Sequence, residues 1–219
     1  MARMTQRFGG DWTNEKLERV SKYLTAYTTA LKNTPFRLLY IDAFAGTGYR
    51  TVDSTDTRQT FLFPDQAGED AEALHTGSAR IALETTPRFA EYYFIDQGAD
   101  KCRELEALKL EFPDKAQDIH IEQMDANAFI EDICKTFKNN RGWRAVLFLD
   151  PFGMNVSWDS IEAVAGTEAI DMWYLFPLGV GVNRLLRRDG NIPQGWQQRL
   201  DLIFGDRGWR DIFYRNEMT

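Results

Sequence analysis

The sequence predicts an α/β fold in which helices cover both faces of a mostly parallel β-sheet. Short apolar segments alternate along the chain with longer segments of helical periodicity, a pattern typical of strands joined through helices. A right-handed crossover through a helix places the carboxyl end of every strand on the same edge of the sheet. The predicted strands span residues 37–42, 92–96, 119–123, 145–150 and 169–176.

A helical segment precedes the first predicted strand. Its apolar residues recur at intervals of three and four, which gives the helix one apolar face. These residues are Leu17, Val20, Tyr23, Leu24, Tyr27 and Leu31. We therefore predict a helical extension over residues 1–36, followed by one domain over residues 37–219. Residues 51–76 are polar and are predicted to form a long loop, which in a compact domain is usually functional or mobile.

The remaining segments between the strands, and all segments after the fifth strand, are predicted to be helical or irregular. Helical periodicity and flanking turn residues set their approximate bounds. These helices span residues 77–84, 99–112, 126–137, 158–165, 182–188, 196–204 and 206–214.

Composition excludes several classes of protein. The 219 residues carry a formal net charge of −7, which disfavours a broad nucleic-acid footprint but leaves room for a local basic face. Cys102 and Cys134 lack the spacing of a metal site or a disulfide framework, and the chain has only two histidines, so we expect no metal. No signal peptide or membrane-length apolar run is visible. We expect a cytoplasmic protein with reduced thiols.

Four aspartates lie at or just after the ends of predicted strands: Asp42, Asp96, Asp125 and Asp150. Taken singly, each acid is better explained as the N-cap of the following helix. Taken together, they line the carboxyl edge of a parallel sheet, where open α/β folds bind their ligands. The four acids therefore predict a ligand site at this edge.

The turn after the first strand is rich in small residues, with Gly46 and Gly48 suited to close approach of a ligand. A dinucleotide-binding turn would place a third glycine at position 51, which is Thr51. A P-loop would place lysine after its glycine, and Tyr49 follows Gly48 instead. The turn is therefore better suited to a nucleoside-type cofactor without phosphates.

The acids are suited to specific parts of such a cofactor. A carboxylate at Asp96 has the acceptor capacity to bind both hydroxyls of a ribose. Asp125 is suited to accept a hydrogen bond from the exocyclic amine of adenine. Asp42 is suited to face a cationic or ammonium group.

The fourth strand ends on Asp150-Pro151-Phe152-Gly153. Proline has no backbone N–H for a sheet ladder, so it makes a rigid end to the strand. An acceptor carboxylate, a rigid turn and an aromatic face together suit recognition of a flat base that carries an amine. The alternative is a simple turn with a capping acid and a core phenylalanine, since turn residues are expected at this place in any case.

In their order along the chain, these motifs resemble those of class I S-adenosylmethionine-dependent methyltransferases, and more narrowly the three-Cys-motif partner protein family. The residues that carry the resemblance are Phe8-Gly9-Gly10-x-Trp12-Thr13-x-x-Lys16-Leu17, Tyr23-Leu24-x-x-Tyr27-x-x-Ala30-Leu31, Tyr40-Ile41-Asp42-Ala43-Phe44-Ala45-Gly46-Thr47-Gly48 and Phe148-Leu149-Asp150-Pro151-Phe152-Gly153. The resemblance implies a Rossmann-like methyltransferase fold, here without the C-terminal β-hairpin that normally closes the sheet. It also implies S-adenosylmethionine as cofactor, with contacts from Asp42, Phe44, Gly46, Gly48, Asp96, Asp125 and Ala126.

The same resemblance implies transfer of a methyl group to an exocyclic amine of a nucleobase. Asp150 and the Pro151 carbonyl would accept hydrogen bonds from the amine, and Phe152 would stack on the base. The acceptor stays open between adenine and guanine, because a single proline followed directly by an aromatic residue departs from the adenine-specific pattern. An alternative is a non-catalytic partner subunit of a phage-related three-cysteine-motif protein, presumed to hold an iron–sulfur centre.

Position along the chain suggests further substrate contacts. Gly153 completes the turn, and Arg184, Arg187 and Arg188 follow the fifth strand on the edge where a nucleic acid would approach. The alternative for these arginines is an ordinary solvated helix face.

Overall fold

A five-stranded, all-parallel sheet forms the centre of the molecule, in the strand order β3-β2-β1-β4-β5. The computed structural model describes residues 10–45, 69–151 and 154–214. The strands are β1 (Arg37–Asp42), β2 (Glu91–Asp96), β3 (Ile119–Gln123), β4 (Trp143–Leu149) and β5 (Ile170–Tyr174). The predicted fold class is confirmed.

Helices precede, connect and follow these strands. They are α1 (Gly10–Leu31), α2 (Glu69–Glu84), α3 (Ala99–Glu111), α4 (Ala126–Asn139), α5 (Trp158–Ala165), α6 (Asn183–Leu185), α7 (Gln194–Phe204) and α8 (Trp209–Tyr214). A short 3₁₀ turn, Ala116–Asp118, precedes β3, and a π-helical turn, Leu178–Val182, precedes α6. In the part of the chain that the structure describes, no helix is both long and apolar enough to cross a membrane.

Strand β1 lies at the centre of the sheet and pairs with β2 on one side and β4 on the other. Ile41, for example, is level with Tyr93 of β2 and with Leu147 of β4. The order of the strands along the chain reverses between β1 and β4. Such a switch point leaves a crevice at the carboxyl ends of the strands, which is where the predicted acids lie.

One face of the sheet packs against α1, α2 and α3 around a cluster of aromatic rings. Phe89 is fully buried, and its ring centroid lies 6.3 Å from that of Tyr27, 5.8 Å from that of Tyr40 and 6.0 Å from that of Tyr92. Tyr27 belongs to α1, so the N-terminal helix shares the core of the sheet.

The other face of the sheet packs against α4 and α5. Phe129, Ile130 and Phe137 of α4 are buried there, as expected from the strongly amphipathic sequence of this helix. The side chains of β1 and β4 point alternately to the two faces. Tyr40 and Val146 belong to the core beneath α1, α2 and α3, and Ile41 and Leu147 belong to the core beneath α4 and α5. Both faces of the central strands are therefore covered, which explains their continuous apolar runs.

Residues 175–214 form a small helical unit after β5, which we call the C-terminal cap. It has its own buried cluster, which includes Val182, Leu185, Leu200 and Trp209. Met154, from the loop after β4, is buried in the same cluster. In residues 175–214 the structure has helices and turns and no strand.

Predicted boundaries were wrong at several elements, most of all at the start of α2. Helix α2 begins at Glu69, so residues 69–76 belong to a helix and not to the long loop predicted at 51–76. The polar composition obscured two helix signals, namely acidic residues in the first turn and Ala71, Ala73 and Leu74, which have high helix propensity. The helix predicted at 182–188 ends at Leu185, because Leu186 adopts an extended backbone with ψ of 104°.

We expect Gly205→Ala to destabilise the fold. Gly205 ends α7 with a φ of +79°, and an added Cβ would overlap the indole ring of Trp158. The left-handed conformation alone costs a non-glycine residue roughly 1–2 kcal/mol, so the free energy of unfolding in urea should fall by at least that amount.

Gly195→Ala is the matched control, because Gly195 lies within α7 and an added Cβ would have nothing within 4 Å. Alanine favours a helix by up to about 1 kcal/mol over glycine, so this variant should be as stable as the original or more stable. Equal losses in the two variants would contradict the role assigned to Gly205.

Candidate functional site

Asp42 ends the central strand and is completely buried. Its Oδ2 accepts a 2.8 Å hydrogen bond from the Ser78 hydroxyl of α2, and its Oδ1 accepts a 3.2 Å bond from the backbone N–H of Phe44. A buried carboxylate requires such donors to offset its loss of hydration. Ser78 is fully buried and was missed by sequence analysis, because a lone serine within a helix gives no signal of its tertiary partner.

The chain beyond Asp42 lies between the ends of the two neighbouring strands. The N–H of Ala43 donates to the carbonyl of Phe148 on β4 at 3.2 Å. The N–H of Ala45 donates to the carbonyl of Ile95 on β2 at 3.0 Å. Asp96 is the residue after Ile95, and Asp150 lies two residues after Phe148. These two bonds therefore place one acid on each side of the turn after β1.

Asp42 lies within electrostatic range of both Asp96 and Asp150. Burial raises the pKa of Asp42 to about 7, against the opposing effect of its hydrogen bonds from Ser78 and Phe44. The carboxylates of Asp150 and Asp96 contribute further to this rise in the pKa. The parallel strands β2, β1 and β4 thus place Asp96, Asp42 and Asp150 at the same edge of the sheet.

Asp150 is also shielded from water, and burial raises its pKa to about 6. The ammonium group of Lys16 on α1 acts in the opposite direction and lowers the Asp150 pKa. Burial in turn lowers the pKa of Lys16, with Asp150 opposing that change. Sequence analysis gave Lys16 no role, because no local pattern connects a residue of α1 with the end of β4.

Helix α1 packs closely on α2 near the site because α2 has a glycine, Gly77, at the point of contact. An added Cβ at Gly77 would lie 2.7 Å from Cδ1 of Leu17, closer than side-chain atoms approach in proteins. Gly77 precedes Ser78, the donor to Asp42, and Leu17 follows Lys16. The close packing of α1 on α2 therefore brings a cation and a hydroxyl donor to the same end of the sheet.

Asp96 forms a tight turn after β2. Its Oδ1 accepts a 2.6 Å hydrogen bond from the backbone N–H of Gly98, at the start of α3. Its carbonyl accepts a 3.1 Å bond from the N–H of Met124, after β3. These bonds fix the carboxylate at the edge of the sheet, while its predicted contact with a ribose stays a prediction.

Asp125 is the N-cap of α4, which is the role that the sequence predicts for each of these acids when it is taken singly. Its Oδ1 accepts a 3.1 Å bond from the N–H of Ala128, and its Oδ2 accepts a 2.6 Å bond from the side-chain amide of Gln97. Gln97 follows Asp96 directly, so this bond connects the ends of β2 and β3. Ala126, another predicted cofactor contact, is buried in the core beneath α4.

Asn127 holds the far part of the loop that begins at Asp150. Its side-chain carbonyl accepts 2.9 Å bonds from the N–H of Ser157 and from the hydroxyl of Ser160. Its side-chain amide donates to the carbonyl of Asn155 at 2.8 Å. Sequence analysis missed this residue, although an asparagine in the first turn of an amphipathic helix, near a strand-end acid, is a usable signal.

Several predicted site residues lie outside the described residues. They are Gly46 and Gly48 of the first turn and Phe152 and Gly153 of the second. The other members of these turns are described: Phe44 is partly buried against the core beneath α4, and Pro151 is buried.

The three predicted arginines belong to the C-terminal cap and are exposed. Arg184 lies on α6, and Arg187 and Arg188 lie in the turn that follows. Arg187 donates to the carbonyl of Asn191 at 3.4 Å, and its guanidinium lies 5.2 Å from the ring centroid of Trp196. The arginines therefore form a basic part of the cap, separate in sequence from the acids of the sheet edge.

The acids are spread along the sheet edge and do not surround one point. Within residues 10–45, 69–151 and 154–214, no three histidine, cysteine, aspartate or glutamate side chains form a group that could hold a metal ion. Partly desolvated carboxylates near one another repel, and a nearby positive charge relieves that repulsion.

No protein-family model and no curated protein matches the chain. A similar solved structure is described as "Putative methyltransferase yhhF from Escherichia coli", with 14% sequence identity and a TM-score of 0.33. The match covers 71% of this chain and 62% of that chain, so this chain spans less than two thirds of that protein.

We expect Asp42→Asn to change the pH dependence of stability. The pKa of Asp42 is about 7 in the folded protein, against 3.8 for an unperturbed aspartate, so the folded state holds a proton that the unfolded state has lost. Stability due to this group is full at low pH and declines as pH rises from about 4 to about 7, by at most roughly 1.4 kcal/mol per pH unit. Asparagine does not titrate, so the variant lacks this decline in stability, and its amide can still form hydrogen bonds with the Ser78 hydroxyl and the N–H of Phe44.

Urea unfolding at a series of pH values measures this effect. Between pH 6 and pH 7 the variant should gain stability relative to the original protein. The stability of the variant should still depend on pH below about pH 6, because the pKa of Asp150 is also raised, to about 6. Asp100→Asn, an exposed change on α3, serves as control and should follow the original pH profile. Parallel profiles for Asp42→Asn and the original protein would contradict the assignment.

Proposed function

We propose that this protein is an S-adenosylmethionine-dependent methyltransferase that methylates an exocyclic amine of a nucleobase in nucleic acid. One observation supports the proposal: Asp42, Asp96 and Asp150 lie at the ends of three neighbouring parallel strands, beside the switch point of the sheet. This is where open α/β folds bind ligands, and the mutual repulsion of the carboxylates favours a ligand with positive charge.

The residues at this edge fit the chemistry of the proposed cofactor. When bound, S-adenosylmethionine supplies an electrophilic methyl group on a positively charged sulfonium. Asp96 would accept the two ribose hydroxyls, and Asp125 would accept the adenine amine with the acceptor capacity that its present bonds leave. Asp42 would act through its charge from beneath the first turn, because its carboxylate is buried. Phe44, Gly46, Gly48 and Ala126 complete the proposed cofactor contacts.

Asp150 and Pro151 would orient the amine that receives the methyl group. A carboxylate accepts hydrogen bonds best when it is ionised. Burial works against ionisation of Asp150, and Lys16 works in its favour. Lys16 is therefore a positioning residue in this proposal, since it keeps the acceptor carboxylate charged near neutral pH. Phe152 would add a stacking surface for the base.

Calorimetry tests the cofactor. We expect heat of binding with S-adenosylhomocysteine and none with NAD or ATP, because the sequence has Thr51 and Tyr49 where the phosphate-binding turns for these two ligands have glycine and lysine. Asp96→Asn should weaken the binding of S-adenosylhomocysteine, since an amide has one acceptor oxygen where the carboxylate has two. Absence of heat with S-adenosylhomocysteine would remove the cofactor assignment.

A second measurement tests the role of Asp150. With labelled S-adenosylmethionine and mixed RNA and DNA as acceptors, Asp150→Asn should reduce methyl transfer by at least about 100-fold, a typical loss for a group that acts in the transition state. Its affinity for S-adenosylhomocysteine should stay within a few-fold of the original. Undiminished turnover by this variant would disprove the catalytic role.

The role of Lys16 is tested by the pH profile of kcat/KM. In the original protein the acid side of the profile should reflect the ionisation of Asp150, whose pKa is about 6. Lys16→Gln removes a cation that lowers this pKa, so the acid side should move to higher pH. Lys22→Gln, a change at an exposed residue of α1 that pairs with Glu18, serves as control and should leave the profile in place. A profile unaffected by Lys16→Gln would contradict the positioning role.

A further inference from the structure

Four aromatic rings form a continuous row from the end of β5 across the C-terminal cap. The ring centroids of Tyr174 and Phe176 are 5.4 Å apart, those of Phe176 and Phe204 are 6.4 Å apart, and those of Phe204 and Phe213 are 6.2 Å apart. Phe176 is 39% exposed and Phe213 is 51% exposed. We call these four residues the aromatic row.

The row begins at the same edge of the sheet as the acids. Leu175 donates a 2.8 Å backbone hydrogen bond to the carbonyl of Leu149, the residue before Asp150. Phe176 therefore leaves the sheet beside the strand end that carries the proposed acceptor carboxylate. Met154, four residues beyond Asp150, is buried in the core of the cap.

The cap differs in charge from the rest of the chain. Residues 175–214 contain six arginines, four aspartates, no lysine and no glutamate, a net charge of +2 in a chain whose net charge is −7. Arg184 and Arg188 are exposed. The hydroxyl of Tyr214 donates to the carbonyl of Arg187 at 2.8 Å, which holds the arginine turn against the end of α8, beside Phe213.

We propose that the C-terminal cap binds single-stranded nucleic acid, with bases stacked on Phe176 and Phe213 and phosphates near Arg184 and Arg188. Exposed aromatic rings combined with cationic side chains are the usual means of binding single strands without sequence preference. A duplex hides the faces of its bases, whereas an unpaired strand presents them. The inference deepens the proposed function and rests on it: the acceptor base would reach Asp150 from a single strand held on the cap.

A protein partner is the main competing occupant of this surface. Aromatic residues and arginine are also frequent in protein interfaces. Docking of a second copy, cap against cap, would bring two positively charged surfaces together, which opposes association. Charge complementarity therefore favours a polyanion over a second copy of this chain.

Fluorescence anisotropy with a labelled single-stranded oligonucleotide of mixed sequence tests the proposal on the full chain. Phe213→Leu and Phe176→Leu keep apolar bulk and remove the aromatic face, so each should weaken binding by about tenfold, the loss expected for one unstacked base. Arg188→Gln should reduce the slope of log affinity against log salt by about 0.7, the contribution of one phosphate contact in a single strand.

Two matched controls separate the cap from the rest of the surface. Leu110→Ala alters an exposed apolar residue of α3, and Arg141→Gln alters an exposed arginine before β4, at the opposite edge of the sheet. Both should leave oligonucleotide affinity unchanged. Calorimetry with S-adenosylhomocysteine on the same proteins distinguishes failure of the proposed function from failure of this inference, because cofactor binding requires neither phenylalanine.

Several results would overturn the inference. One is absence of oligonucleotide binding by the original protein, and another is equal affinity for a duplex of the same sequence. A third is loss of affinity in the controls as large as in the phenylalanine variants. A dimer that is dissociated by Phe213→Leu in sedimentation, without an effect on oligonucleotide binding, would assign the row to a protein interface instead.

Discussion

The pair of backbone hydrogen bonds made by the turn after β1 is the constraint on which the site depends. One bond joins this turn to the end of β4 and the other joins it to the end of β2. With both bonds made, the strands on either side of β1 end at the same level, and the acids that follow them lie on either side of this turn. Neither Asp96 nor Asp150 needs a direct contact with Asp42 to be held close to it.

This arrangement brings together carboxylates that repel one another, and the surrounding structure offsets that repulsion. Ser78 and the N–H of Phe44 support Asp42, and Lys16 supports Asp150. Sites that work against stability in this way are common where a protein binds or transforms a ligand. Burial is the main cause of the raised pKa values of Asp42 and Asp150, and the charged groups near each carboxyl modify that effect.

The sheet and its acids could be predicted because their signals are local. An apolar run that ends on aspartate marks a strand end, so the bounds of β1 were predicted correctly and its acid was assigned to the carboxyl edge of the sheet. Ser78 and Lys16 could not be found in this way, since each acts on a residue far away in sequence. The start of α2 was missed because polar composition outweighed helix propensity in the interpretation of residues 69–76.

The loop after β4 connects the two halves of the proposed site. It begins at Asp150, its Met154 is buried in the cap, and Asn127 fixes its far part through Asn155 and Ser157. The described residues 154–157 of this loop are held by both the cap and α4, which favours a constant separation between a base bound on the cap and the carboxylate at the sheet edge. Such fixed geometry is what group transfer requires, because the entropy of orienting the reactants is lost on binding, before the chemical step.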